Sequence, residues 1–120
     1  MDGKYFVLIS ILFNVLGQYS MKFGIRKFGI IHFDKDIIST MIKIFTLPNI
    51  LLGLFLYGIS AIFWIIALSK VELSVAYPML SIGYILIMII SYFLLHEQIT
   101  LFKIIGSIFI ISGLFFISKN

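Results

Sequence analysis

Three side chains in the first apolar run of this 120-residue chain are spaced for chemistry on one helix face: Asn14, Gln18 and Lys22, in steps of four. Residues at that spacing stand one above the other. Two amides leading to an ammonium form a polar stripe that can satisfy hydroxyls inside the bilayer and meet an anion at its edge. The plainer reading makes the amides glue between helices and Lys22 a snorkelling lysine that fixes helix depth. A second stripe lies in the third apolar run. Tyr77, Ser81, Tyr84, Met88 and Ser91 follow steps of four, three, four and three and share a face. Between these runs, Gly53, Tyr57, Ser60, Trp64 and Ala67 share a face, with Tyr57 and Trp64 as an aromatic wall of a cavity or Trp64 as an interfacial anchor. None of these sets pairs a nucleophile with a base. The chain has no cysteine and its two histidines, His32 and His96, are far apart, so no metal site, cofactor or covalent catalysis is expected. The chemistry on offer is recognition and passage, and the chain is not expected to be an enzyme.

The elements that must hold these stripes are membrane spans. Hydrophobic residues make up 62% of the chain and charged residues 12%, which excludes an ordinary soluble domain. Four apolar runs qualify, at about Tyr5–Met21, Asn49–Leu68, Ser74–Leu95 and Phe102–Ser118. The first could be a signal peptide, but Asn14 and Gln18 interrupt it and no small-x-small cleavage site follows. In the third run Pro78 has no N–H to give the Ser74 carbonyl, and Gly83 admits a neighbouring backbone; both are candidate hinge positions. In the fourth, Gly106 and Gly113 stand seven apart on one face, for close packing within a subunit or between subunits. Thr100 is placed to cap that helix. The segment 22–46 is the long polar connection, basic on balance. Within it Ile37, Ile38, Met41, Ile42 and Phe45 form an apolar stripe opposite Asp36, Thr40 and Lys43, a pattern for an interfacial helix over about 36–45. Lysine and arginine favour the side of that segment, six to three, which puts both termini outside. The net charge of +4 suits anionic lipid headgroups and not nucleic acid.

Ala76-Tyr77-Pro78-Met79-Leu80-Ser81, with Gly83 and the later His96-Glu97 pair, resembles the third helix of small four-span members of the drug/metabolite transporter superfamily. The closest likeness is to the small subunits of the undecaprenyl-phosphate aminoarabinose flippase. Gly17-Gln18 resembles the Gly-Gln of their first helix; Met21-Lys22-Phe23, Phe63-Trp64 and the Gly106/Gly113 pair are also similar to the small multidrug resistance family, and the likeness covers nearly the whole chain apart from 27–46. Small multidrug exporters couple drug to protons through a first-helix glutamate. Aligned on Met21-Lys22-Phe23, that position is Asn14 here, and no acidic residue lies within any span. The flippase-like subunits lack that carboxylate too.

The resemblance implies an all-α integral membrane protein, four transmembrane helices in a small multidrug resistance-like bundle that works as a homodimer or a heterodimer with a similar subunit. It implies a transporter or flippase subunit of the bacterial cytoplasmic membrane whose cargo is a polyprenyl-phosphate-linked sugar. The substrate-binding set is then Asn14, Gln18, Lys22, Tyr57, Trp64, Tyr77, Ser81, Tyr84 and Glu97, with Pro78 and Gly83 as hinge and Gly106 and Gly113 at the dimer interface. A metabolite or multidrug exporter without the carboxylate, or a non-transporting assembly protein, stays open as an alternative.

Overall fold

The computed structural model describes residues 2–119, and every regular element among them is helical. In chain order these are α1 (Gly3–Ile25), a 3₁₀ turn (Arg26–Phe28), α2 (Ile37–Phe45), α3 (Pro48–Leu68), α4 (Leu73–Met79), α5 (Ser81–Phe93) and α6 (Leu101–Ile117). Three stretches, Gly3–Phe28, Pro48–Leu68 and Leu73–Phe93, are long and apolar enough to cross a membrane, and Leu101–Ile117 is a shorter apolar helix. The chain is therefore a multi-pass helical membrane protein.

Local chemistry sets the helix ends. The Asp2 carboxylate accepts from the Lys4 backbone N–H at 3.2 Å and opens α1. Pro48 stands in the first turn of α3, where its missing N–H leaves nothing unpaired. Thr100 caps α6, its hydroxyl accepting from the Lys103 N–H at 3.2 Å, as its position in the sequence leads one to expect. The third apolar run is not one unbroken α-helix. Pro78 lies inside α4, and at Leu80 the turn tightens, the Leu80 N–H donating to the Tyr77 carbonyl at 3.0 Å before α5 begins.

The tightest packing joins α1 to α3, which run antiparallel. Gly3, Ser10, Gly17 and Gly24 recur every seven residues on α1; Gly53, Ser60 and Ala67 do so on α3; all are buried. A methyl group added at Gly17 would sit 2.7 Å from the Gly53 carbonyl oxygen, so the two backbones touch there. The Ser10 hydroxyl donates to the Ser60 carbonyl at 2.8 Å, and the Ser20 hydroxyl to the Asn49 carbonyl at 2.7 Å. A seven-residue repeat holds a seam between antiparallel helices that cross at a shallow angle. A second side of α1 packs through Val7, Ile11 and Val15 with Ala76 and Met79 of α4. Gly83 is buried against Ile11, where an added Cβ would come within 3.2 Å. It thus lets α5 lie close on α1.

The last helix is attached more loosely. It packs on α4 and α5, yet Ser107 is its one buried residue among those described. The Ser107 hydroxyl donates to its own helix, at the Lys103 carbonyl 2.7 Å away, and lies 3.4 Å from the Met88 sulfur.

Candidate transport site

The polar residues of α1 do not line one cavity. They divide between two, and the division follows which neighbour each side of α1 meets. Asn14 faces α3 and α4 in a cavity of about 440 Å³, with Tyr57, Trp64, Tyr77 and the Ser10–Ser60 bond around it. Three aromatic rings and one amide make a wall for a flat or apolar group with a few hydrogen-bonding positions. No carboxylate lines it.

Gln18 and Lys22 face α5 instead. With Tyr19, Ser91, Leu95 and Glu97 they line a cavity of about 280 Å³ between α1 and the end of the third apolar run. Its ionic feature is the Lys22 ammonium 3.9 Å from a Glu97 carboxylate oxygen, both side chains about half exposed. That separation is an ion pair without a direct hydrogen bond. Exposed pairs of this kind contribute roughly 0–1 kcal/mol and open readily.

The backbone after α5 fixes where Glu97 can be. The helix ends at Phe93 and Leu95 is buried to 3% exposure. His96 then takes a left-handed conformation, φ 57°, the single non-glycine residue with positive φ among those described. This reversal brings the Glu97 N–H onto the Ser91 carbonyl at 2.9 Å, closing the helix end with a wide turn. Glu97 is thereby held by its main chain while its carboxylate is left toward Lys22. The same carboxylate lines a smaller cavity of about 190 Å³ with Tyr84, Ser91 and Lys103, and the Lys103 ammonium is held by the Gln98 carbonyl at 2.9 Å.

The sequence-derived set therefore falls into groups. Asn14, Tyr57, Trp64 and Tyr77 come together; Gln18, Lys22 and Glu97 come together; Tyr84 belongs to the side cavity that shares Glu97. Ser81 is half-buried and lines none of the three. The tyrosine–serine stripe is split because Tyr77 and Tyr84 are seven residues, about 10 Å, apart along the axis. Gly106 and Gly113 face open space, with no atom within 4 Å of an added Cβ. Sequence reasoning missed Ser10 and Gly17 as one seam with Ser60 and Gly53. The seven-residue repeat was the available signal. It also missed that Lys22 and Glu97 pair, for which the only sequence clue is that both end their apolar runs on the same side.

The apolar helices thus enclose small cavities lined by amides, aromatic rings and one ion pair. Residues 5–119 match the EamA-like transporter family, and the chain belongs to that family of the drug/metabolite transporter type. It is similar to the "Probable 4-amino-4-deoxy-L-arabinose-phosphoundecaprenol flippase subunit ArnF" of Serratia proteamaculans (strain 568), 31% identical over 100% of this chain and 95% of that one. It is likewise similar to the ArnF protein so described in Erwinia tasmaniensis, 32% identical over 96% of this chain and 93% of the other. The corresponding ArnE protein of Aeromonas salmonicida (strain A449) is 33% identical over 94% and 93% of the two chains. No solved structure matches.

Proposed function

We propose that this chain is one subunit of a flippase that carries a polyprenyl-phosphate-linked aminosugar across the bacterial cytoplasmic membrane. The observation that carries this reading is Lys22, which lines the α1/α5 cavity with the Gln18 amide one helical turn away. An ammonium at that depth suits a lipid phosphate, and an amide behind it suits sugar hydroxyls. The polyprenyl tail need not enter the protein, so a cavity of about 280 Å³ is enough for a headgroup. The relatives described as flippase subunits support the cargo and the need for a second subunit. In this reading α6 is a fourth span, about 26 Å long at 1.5 Å per residue. α2 lies at the interface, its apolar side toward acyl chains and Lys43 toward headgroups. The partner subunit packs on the Gly106/Gly113 face. No bond is made or broken.

The deciding measurement is headgroup accessibility of the lipid-linked sugar in sealed vesicles, with and without this chain and its partner subunit. Transport should need the chain. Lys22→Gln should lower the rate at least tenfold, and Lys22→Arg should keep part of it, because the charge is retained while the geometry changes. Equal rates for the parent and Lys22→Gln at equal expression would remove Lys22 from the site. A small-cation antiporter is the reading the Asn14 cavity argues against. Lipophilic cations added to the solubilised protein should release no protons, since no carboxylate lines that cavity. Stoichiometric release would move the exporter reading ahead.

A further inference from the structure

The α1/α5 cavity holds both signs of charge where an anion site alone would want one. A carboxylate 3.9 Å from the phosphate-binding ammonium repels any anion that Lys22 attracts, and its presence has to be offset by something in the ligand. We propose that this cavity is built for a zwitterionic headgroup: its phosphate pairs with Lys22, its ammonium pairs with Glu97, and the two contacts replace the internal ion pair. This rests on the flippase reading and adds to it the residue that recognises the amine, Glu97, and the exchange of an internal ion pair for two ligand contacts.

Four features of the site support the exchange. The resident pair is too long for a hydrogen bond and half exposed, so little is lost when it opens. The Glu97 main chain stays in place when the pair opens, because its own N–H is bonded to the Ser91 carbonyl and Leu95 nearby is buried. The left-handed turn at His96, a conformation that non-glycine residues seldom adopt, is what directs Glu97 back over the cavity and not outward. Lys22 lines one cavity with the carboxylate and Lys103 the other; Lys103 gives one of its three N–H donors to the Gln98 carbonyl and is not within ion-pair distance of Glu97. Glu97 is thus the acceptor available to an incoming ammonium, and Lys22 the donor available to a phosphate.

Ordinary phospholipid headgroups with an ethanolamine end share this chemistry, so the test separates the two sources. The full chain in nanodiscs would be titrated with three radiolabelled short-chain probes: a prenyl-phosphate aminopentose, its N-acetyl form, and phosphatidylethanolamine. Glu97→Gln keeps the main-chain bond to Ser91 and should remain folded by size-exclusion profile. It should weaken binding of the aminopentose lipid about tenfold, the scale of one charge-assisted hydrogen bond. The same variant should bind the N-acetyl form as well as the parent does or better, since repulsion of the phosphate is gone. Lys22→Gln should weaken both prenyl probes. If Glu97→Gln alters the two prenyl probes equally, or neither, the zwitterion proposal falls while the flippase reading stands. If only phosphatidylethanolamine binds in a Glu97-dependent way, the zwitterion site stands and the lipid-linked sugar is the wrong cargo. If the parent binds none of the three, both fall.

Discussion

Two faces of this molecule carry small residues seven apart, and they have opposite surroundings. On α1 and α3 the repeat is filled: Gly17 meets the Gly53 carbonyl, and Ser10 is bonded to the Ser60 carbonyl. On α6 Gly106 and Gly113 have the same spacing and nothing within 4 Å. Phe102 and Phe109 on the same helix are 85% and 72% exposed, so α6 has so far found little of the contact that its composition can make. Spacing alone therefore says that a backbone can be approached closely. Whether the approach is made depends on what the chain connection puts opposite. The connection 26–47 returns α3 antiparallel along α1, in register with its glycines, while the short turn 94–100 returns α6 beside α4 and α5, whose facing residues bring no matching glycine.

The largest effect that tests this contrast is expected at Gly17. Its added Cβ would press on the Gly53 carbonyl at 2.7 Å and the Tyr57 nitrogen at 3.2 Å, and neither backbone atom can rotate aside. Gly17→Leu should cost about 3 kcal/mol or more, the range of severe overpacking, and should appear as loss of monodisperse protein in detergent. A Gly17→Leu protein as stable as the parent would mean that α1 and α3 are not in close register.

The next effect is of a different kind. Gly113→Leu meets open space within the subunit, so its cost to the folded monomer should stay within about 0.5 kcal/mol. Association with a second subunit, measured by crosslinking in membranes, should fall several-fold if that face is where the partner packs. Unchanged crosslinking would assign the α6 glycines to lipid contact.

These two substitutions also mark how far the sequence could be read. The apolar runs were legible because a bilayer demands length and hydrophobicity, and the start of α6 followed from Thr100. The polar stripes were legible as faces. Their partners were not, since a face on one helix does not name the helix opposite. That is why Asn14 and Gln18, four residues apart, were read as one surface and in fact border different cavities. The left-handed turn at His96 left no trace in composition either. Histidine enters that conformation more readily than most non-glycine residues, but still seldom, so its presence does not announce the turn; burial of Leu95 and the bond from Glu97 to Ser91 accompany it.

The smallest difference worth measuring compares a serine of the α1/α3 seam with a serine of α6. Ser10 is buried at 4% exposure, and its hydroxyl crosses the seam to the Ser60 carbonyl at 2.8 Å. Ser112 is exposed, and its hydroxyl turns back to the Ile108 carbonyl of its own helix at 2.8 Å. Interhelical hydrogen bonds within membranes contribute modestly, because the carbonyl that accepts them is already bonded along its helix. Ser10→Ala should therefore cost about 1 kcal/mol, read from reversible unfolding in mixed detergent. Ser112→Ala removes a back-bond that holds no helices together and should cost nothing measurable, or stabilise slightly. If both substitutions cost the same, the Ser10–Ser60 bond adds nothing to the seam. The glycine contacts alone would then hold α1 against α3, and the contrast with α6 would reduce to the backbone approach at Gly17 and Gly53.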